Sequence, residues 1–273
     1  MKTTVKRITS RDNPTYRRLV SLLNSTGIKK HGEFLLSGRK LVPEFLPREP
    51  QGKPSDLKAI VIAENHDELL EQLPAATAAA QNTAKSLPVI ALPKDLFAEL
   101  DTHGTHFPLL WGVAPEIPAA RLSEPPRGLE LILALANPLN LGAALRSAEA
   151  FSVNQVVLLK ECAHPFLPKV LRASSGSALR LNLRSGPSIK SPSIQDLPTT
   201  SLDIWALDKN GYDISKYDFP NNFRLLIGEE GLGIPDDFST DRRLSVPMKP
   251  GMDSLNAVAA TSIALYAYRA QHP

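Results

Sequence analysis

Three short segments combine small, polar and charged residues at spacings suited to holding an anion or a nucleotide. The first is Ala136-Asn137-Pro138-Leu139-Asn140-Leu141-Gly142-Ala143-Ala144-Leu145-Arg146. Leu141, Leu145 and Ala148 share one face of a helix, so Arg146 points elsewhere. Asn140 and the early main-chain N–H groups are placed to hold an anion at the helix start, and the Arg146 guanidinium suits a bidentate clamp on phosphate. The second segment, Ile227-Gly228-Glu229-Glu230-Gly231-Leu232-Gly233-Ile234-Pro235, has three glycines in six residues. They permit positive φ and close main-chain approach to a ligand. The pattern is not GxGxxG and is not followed by Lys-Ser/Thr, so neither a dinucleotide fingerprint nor a P-loop fits. In the third, Val246 to Asn256, apolar and polar residues alternate through a loop, which suits a pocket for a partly apolar ligand. Read singly, the three are equally a capped helix with a surface arginine, a plain turn, and a loop whose Met248 and Met252 fill core.

Each segment follows an apolar run. Leu129 to Leu135 is nearly unbroken, as expected for a strand of a parallel sheet covered on both faces. A helix from about Leu141 to Phe151 and a strand at Gln155–Leu159 follow it. Further strands are expected at Ile204–Leu207, Phe223–Ile227 and Leu244–Val246. A last helix is expected from about Ser254 to Ala270, capped by Asp253 or Ser254. Strands alternating with helices make an α/β domain with a parallel sheet, whose ligand crevice lies outside the carboxyl ends of its strands.

The chain is 273 residues long, 42% hydrophobic and 22% charged, and its length leads us to expect two domains. Four prolines between Pro115 and Pro126 forbid a continuous helix, dividing the chain into 1–113, a linker at 114–127, and 128–273. The first part reads as a small α/β domain. A basic helix runs from Asn13-Pro14 to about Asn24; strands follow at Glu33–Leu36, Lys58–Ile62, Leu87–Ala91 and Leu109–Val113, and helices at Arg39–Leu46, His66–Leu73 and Lys94–Leu100. Pro74 to Ser86 reads as either a helix extension or a loop. The net charge of +3 hides an asymmetry: residues 1–42 carry ten Lys and Arg against Asp12 and Glu33. Residues 43–103 carry ten acids against five bases, so the basic end is suited either to a polyanion or to being a solvated helix face. The one cysteine, Cys162, excludes an internal disulfide and a multi-cysteine zinc site and reads as a partly buried structural thiol. No metal is expected. No window approaches the roughly 18 apolar residues of a spanning helix, and the N-terminus leads into no signal core, so a cytoplasmic protein without membrane association is expected.

In order and spacing, the three segments together resemble the motifs of the SpoU/TrmH family within the SPOUT class of RNA methyltransferases. Asn140, Gly142 and Arg146 resemble its Asn-x-Gly-x-x-x-Arg motif, Gly228, Glu230, Gly231 and Gly233 its Gly-x-Glu-Gly-x-Gly turn, and Pro247, Met248, Ser254, Leu255 and Asn256 its Pro-Met…Ser-Leu-Asn motif. Arg172-Ala173-Ser174-Ser175-Gly176 is also family-like. Asn137 stands where the family commonly has Asp, and Ser152 where it commonly has Gly. The N-terminal half resembles the family's ribosomal-protein-like substrate-binding domain, through Ile8 to Pro14 and Phe34 to Gly38.

The resemblance implies S-adenosylmethionine as cofactor, transfer of its methyl group to a ribose 2'-hydroxyl, a deep trefoil knot in the C-terminal domain, and a homodimer with RNA bound across both subunits. It implies that Leu207, Gly228, Val246 and Leu255 hold the adenosine through backbone groups, with Leu226 and Met248 as apolar walls. By position Arg146 is the catalytic arginine; because a guanidinium stays protonated, we read it as binding the phosphate beside the target ribose. Asn140, Glu230, Ser254 and Asn256 then orient the ribose, the loop or Arg146. Arg11, Arg17, Arg18, Lys29, Lys30, Arg39 and Lys40 join Arg146 as RNA contacts, with no DNA expected. Large-subunit ribosomal RNA is the expected substrate. Transfer RNA, or a non-catalytic RNA-binding or ribosome-assembly role, is the alternative.

Overall fold

Leu129–Leu133 and Phe223–Ile227 are buried at every position, and a strand can hide both faces in this way only inside a sheet covered on both sides. These two strands are the centre of the C-terminal unit in the computed structural model, which describes residues 5–46, 57–64, 87–191, 204–235 and 242–273. The chain forms two units by contact, one of residues 1–116 with 166–179 and one of residues 117–165 with 180–273. The boundary at 116 falls within the proline-rich stretch. Phe166–Leu179, which the sequence reading kept with the C-terminal domain, groups with the N-terminal unit.

In that unit, strands β1 (Val5–Arg7), β2 (Glu33–Leu36), β3 (Leu57–Ala63), β4 (Val89–Leu92) and β5 (Leu109–Val113) form a mixed sheet ordered β1-β4-β3-β5-β2. β5 runs antiparallel to both neighbours. Pro14 at N1 and the Asn13 side chain, which accepts from Thr15 N, start helix α1 (Pro14–Ser21). The basic helix expected to reach Asn24 stops there, and a second, α2 (Ser25–His31), follows on the Asn24 cap. A Cβ on Gly27 would lie 2.0 Å from the Ser21 carbonyl oxygen, so only glycine lets the two helices meet this closely. Short helices α3 (Leu41–Phe45), α4 (Lys94–Leu100) and α6 (Pro168–Ala173) complete the unit, with α6 against β2. The expected helix His66–Leu73 and the ambiguous stretch Pro74–Ser86 lie outside the described residues.

Glu33 is 2% exposed, and buried carboxylates are stable only when paired. Its oxygens accept from Arg18 Nη2 (2.5 Å), Lys58 Nζ (2.6 Å) and Trp111 Nε1 (2.9 Å). Both cations also lie over the Trp111 ring, at 5.8 and 4.8 Å from its centroid.

The C-terminal unit holds β6 (Leu129–Leu133), α5 (Pro138–Ala150), β7 (Gln155–Leu158), β8 (Leu183–Ser185), β9 (Ile204–Asp213), β10 (Phe223–Ile227), β11 (Arg243–Ser245) and α7 (Ala257–Gln271). Its six strands are ordered β11-β9-β10-β6-β7-β8 with every pair parallel. From β6 the chain builds outward to β8 on one side, and β9, β10 and β11 then lie on the other. That reversal between β6 and β10 is where a parallel sheet opens a crevice at its carboxyl end. Ile132, Ala134, Val157, Ala206, Leu226 and Ile234 pack one continuous core cluster. Helices α5 and α7 lie side by side, with Ser147 Oγ 2.8 Å from Ser262 Oγ and the rings of Phe151 and Tyr266 edge to face.

Candidate functional site

Proline at position 138 fixes the first turn of α5, and Asn137 caps it: its Oδ1 accepts from Leu139 N at 2.8 Å and Asn140 N at 3.3 Å. The Asp common in the motif that this segment resembles is thus replaced by another good cap. After β10, Gly228 lies against the returning chain, where a Cβ would be 2.4 Å from both C and O of Gly233. Glu229 and Gly233 exchange main-chain hydrogen bonds of 3.0 and 2.8 Å, closing a tight loop in which Gly231 and Gly233 have φ of +88° and +72°.

That loop presents Glu230 to the start of α5. One carboxylate oxygen accepts from Ala136 N and Asn137 N, both at 3.2 Å, and the other accepts from Asn140 Nδ2 at 3.0 Å. Two of the three segments are thereby joined through one side chain. The third arrives after β11. Asn256 caps α7, its Oδ1 accepting from Val258 N at 2.9 Å. This corrects the expected cap at Asp253 or Ser254; both lie upstream in exposed loop, and the helix begins at Ala257.

The three turns enclose a cleft of about 660 Å³ at the carboxyl end of the sheet. Asn140, Glu230, Ser254 and Asn256 line it, as do Leu207, Gly228, Val246, Met248 and Leu255. Leu226 does not. It is fully buried in the core cluster, one residue short of the strand's end, and Ile227 takes the wall position beside the cleft.

Arg146 is also absent from the cleft wall. Six residues beyond Asn140, it stands about 9 Å along the axis and roughly 240° around the helix. It is exposed there, on a stripe with Leu139 and Ala150. Sequence reasoning missed Asp208, Lys209 and Asn210, which line the cleft because β9 continues past Leu207 to Asp213. Arg243 Nη1 reaches Asp208 Oδ2 at 2.6 Å, and Gly211 permits the β9–β11 contact: a Cβ there would meet the carbonyl carbon of Leu244 at 2.4 Å. That run of polar residues ending in glycine was the available signal.

Cys162, near this end of the sheet, donates to the Leu133 carbonyl at 3.0 Å. Burial pushes its thiol pKa up to about 12, so it is an inert structural group at neutral pH.

The basic N-terminal residues are more engaged than their count suggests. Arg11 pairs with Glu99 and, at 3.3 Å, with Asp95; Arg17 pairs with Asp12 and Arg18 with Glu33. Arg39 donates to the Thr105 carbonyl at 3.2 Å and covers Phe107. Lys29, Lys30 and Lys40 are exposed.

Residues 131–266 match the SpoU rRNA Methylase family. Over 264 residues the chain is 38% identical to ribosomal RNA small subunit methyltransferase G 2 of Syntrophobacter fumaroxidans, covering 96% of this chain and 49% of that protein. The chain thus spans about half that relative's length. It is 26% identical to a Bacillus subtilis 23S rRNA (guanosine(2553)-2'-O)-methyltransferase, covering 97% of this chain and all of that one. A Sinorhizobium meliloti structure described as an AdoMet-bound rRNA methyltransferase has the same fold, with a TM-score of 0.75 at 22% identity over 97% and 98% of the two chains.

Proposed function

Because the chain belongs to the SpoU rRNA Methylase family through residues 131–266, we propose that it transfers a methyl group from S-adenosylmethionine to a ribose 2'-hydroxyl of ribosomal RNA. The observation that carries this reading is the Glu230 junction. It holds two motif turns together at the mouth of a cleft whose third side is the Val246–Asn256 turn.

The cleft has the features that such a cofactor requires. Ile227, Val246, Met248 and Leu255 supply apolar wall, and the glycine turn leaves main-chain groups unshielded by side chains. A cationic sulfonium is compatible with the carboxylates of Glu230 and Asp208 on the wall. When bound, S-adenosylmethionine supplies an activated methyl group, leaving the protein to align a poor nucleophile. In this chain Glu230 fixes the start of α5, Asn140 is held in its orientation by Glu230, and Ser254 offers an exposed hydroxyl to the ribose. Arg146, always protonated, binds the phosphate beside the target ribose, and that phosphate or a neighbouring group takes the hydroxyl proton.

The reading includes a homodimer and the family's knot. Ala259, Ile263, Tyr266 and Ala270 form an exposed stripe along α7, with Ile263 41% and Tyr266 64% exposed. This stripe adjoins the Leu139–Arg146 stripe of α5 across the Ser147–Ser262 contact, and such an apolar face suits burial against a second copy. The knot comes into this reading with the family resemblance. No helix among the described residues is long and apolar enough to cross a membrane, and a ribosomal RNA substrate supports a cytoplasmic reaction.

Large-subunit RNA is the favoured substrate, since three relatives at 26–29% identity carry 23S ribosomal RNA in their names; the 38% identical relative is named for the small subunit, but this chain spans only about half of it. Mapping 2'-O-methylation in 23S, 16S and transfer RNA from cells with and without the protein tests this. Loss of one 23S site, restored by purified protein and S-adenosylmethionine, is expected. Loss of a 16S or transfer RNA site instead would move the substrate, and no lost site would overturn the enzyme reading.

A further inference from the structure

A second cleft, of about 490 Å³, opens at the opposite, amino end of the same parallel sheet. Its walls come from the residues that lead into β6, β7, β8 and β10, and four arginines line it: Arg121, Arg127, Arg184 and Arg224. Among the described residues that line it, two carboxylates stand against them, and both are paired. Glu130 accepts from Arg224 Nε at 2.6 Å, and Glu124 accepts from Arg121 Nη1 at 3.1 Å. The Arg127 and Arg184 side chains have no ion-pair partner among the described residues. The cleft therefore carries about two uncompensated positive charges, and clefts focus such a field.

Its framework is rigid. Arg224, only 1% exposed, donates to the Leu122 carbonyl at 2.9 Å and the Glu124 carbonyl at 2.7 Å as well as to Glu130. A buried ion pair adds little net stability over an apolar replacement; what this one does is fix the 122–124 rim. The Arg127 main chain is clamped at both ends: its N–H donates to Glu130 Oε1 at 3.2 Å, and its carbonyl accepts from Asn154 Nδ2 at 2.7 Å. The backbone is anchored while the guanidinium is left free for a ligand. Planar guanidiniums around a polar cleft match phosphate oxygens two at a time.

We propose that this cleft is a second contact site for the RNA, in which Arg127 and Arg184 bind backbone phosphates at the end of the sheet away from the cofactor cleft. The proposal rests on the RNA-methyltransferase reading. β6 is five residues long, so the two clefts are separated by roughly 16 Å of strand, and the RNA has to run along the sheet's length to touch both.

The test is fluorescence anisotropy of the full chain with a fluorescein-labelled 20-nucleotide oligouridine across a salt series. Wild type is compared with R127Q/R184Q and with the charge-retaining R127K/R184K. Losing two phosphate contacts lowers the slope of log affinity against log salt by about 1.4 for a single strand. R127Q/R184Q should show that loss, R127K/R184K should keep the wild-type slope, and circular dichroism should show all three folded. An unchanged slope in R127Q/R184Q overturns the proposal. So does stabilisation by inorganic phosphate that depends on both arginines while the RNA slope stays at the wild-type value; that result would make the cleft a site for free phosphate. S-adenosylmethionine titration of wild type reports separately on the underlying reading: absent cofactor binding sinks the enzyme, while the salt slope still decides the cleft.

Discussion

Asn140 and Glu230 give the sharpest test of how the motif turns are held. Asn140→Asp places a carboxylate where an amide donor now sits 3.0 Å from Glu230 Oε1. A charge-assisted hydrogen bond contributes about 1.5–3 kcal/mol, and with Glu230 half-buried a loss near 2 kcal/mol is reasonable. If the cofactor needs the joined turns, that loss is roughly 30-fold in its affinity. The new carboxylate lies in the first turn of α5, where the helix dipole returns a few tenths of a kcal/mol.

Glu230→Gln is predicted to be milder. Its amide oxygen still accepts from Ala136 N and Asn137 N, and Asn140 can turn its own amide over to accept from the new amide nitrogen. In N140D/E230Q the carboxylate introduced at position 140 accepts from the amide introduced at position 230, so the double variant should regain at least a tenfold factor over N140D. Two carboxylates this close raise the pKa of one; a shared proton therefore mends N140D as pH falls, and its defect should shrink from pH 8 to pH 6. Isothermal titration with S-adenosylmethionine at both pH values measures all of this. A double variant as weak as N140D, or an N140D defect that does not change with pH, would refute the argument.

Arg146→Ala should abolish methyl transfer and leave cofactor affinity within about twofold, because Arg146 is exposed and outside the cleft; its stability should move by less than about 0.5 kcal/mol. Reduced cofactor affinity with turnover retained would refute this. Gly228→Ala puts a Cβ 2.4 Å from Gly233 main-chain atoms, which cannot yield as a side chain can. It should cost about 2 kcal/mol or more, lower the melting temperature and remove cofactor binding. The Glu33 carboxyl, which burial alone would raise, is held below the ordinary carboxylate range by hydrogen bonds from Lys58, Arg18 and Trp111. A lowered folded pKa gives stability that is present above about pH 4.3 and lost as pH falls through the folded value. Arg18 and Lys58 are each about a third exposed and stay hydrated when the carboxylate is removed, so Glu33→Gln should cost about 1.5 kcal/mol at pH 7 and flatten the acid limb of a pH–stability curve.

The parts of this fold that were legible in sequence are those where burial dictates residue type. Phe223–Ile227, Leu109–Val113 and Glu33–Leu36 are strands at the expected residues, because their apolar runs fit nothing else. β1 and β8 were missed: at three residues each they are too short for a period to register, and Val5–Arg7 is exposed throughout. The basic helix splits at the Asn24 cap, and the close approach of its two halves depends on Gly27 against Ser21, a contact that no local pattern encodes. In the site, residues at strand ends were found from their motifs. Leu226 was misplaced because a two-sided buried strand gives no alternation to tell wall from core. The basic count overstated free charge, since Arg11, Arg17 and Arg18 have partners up to 88 residues away, which only the folded chain brings together.

Arg146 presents the remaining geometric problem. A group that holds the phosphate beside the target ribose must come close to the cofactor, yet Arg146 lies off its own protomer's cleft on the exposed α5 stripe that continues onto Ile263 and Tyr266. If that surface pairs two copies, one protomer's arginine can serve RNA in its partner's cleft. Subunit complementation decides between this and an arrangement within one protomer. R146A keeps an intact cleft and G228A keeps an intact arginine, and each alone should be inactive. Co-refolded in equal amounts and pairing at random, they form mixed dimers with one complete site in trans, and about a quarter of wild-type activity should return. Action within one protomer leaves every mixed dimer with two broken sites, so a mixture as inactive as its components would sink the shared-site reading while leaving the requirement for Arg146 untouched.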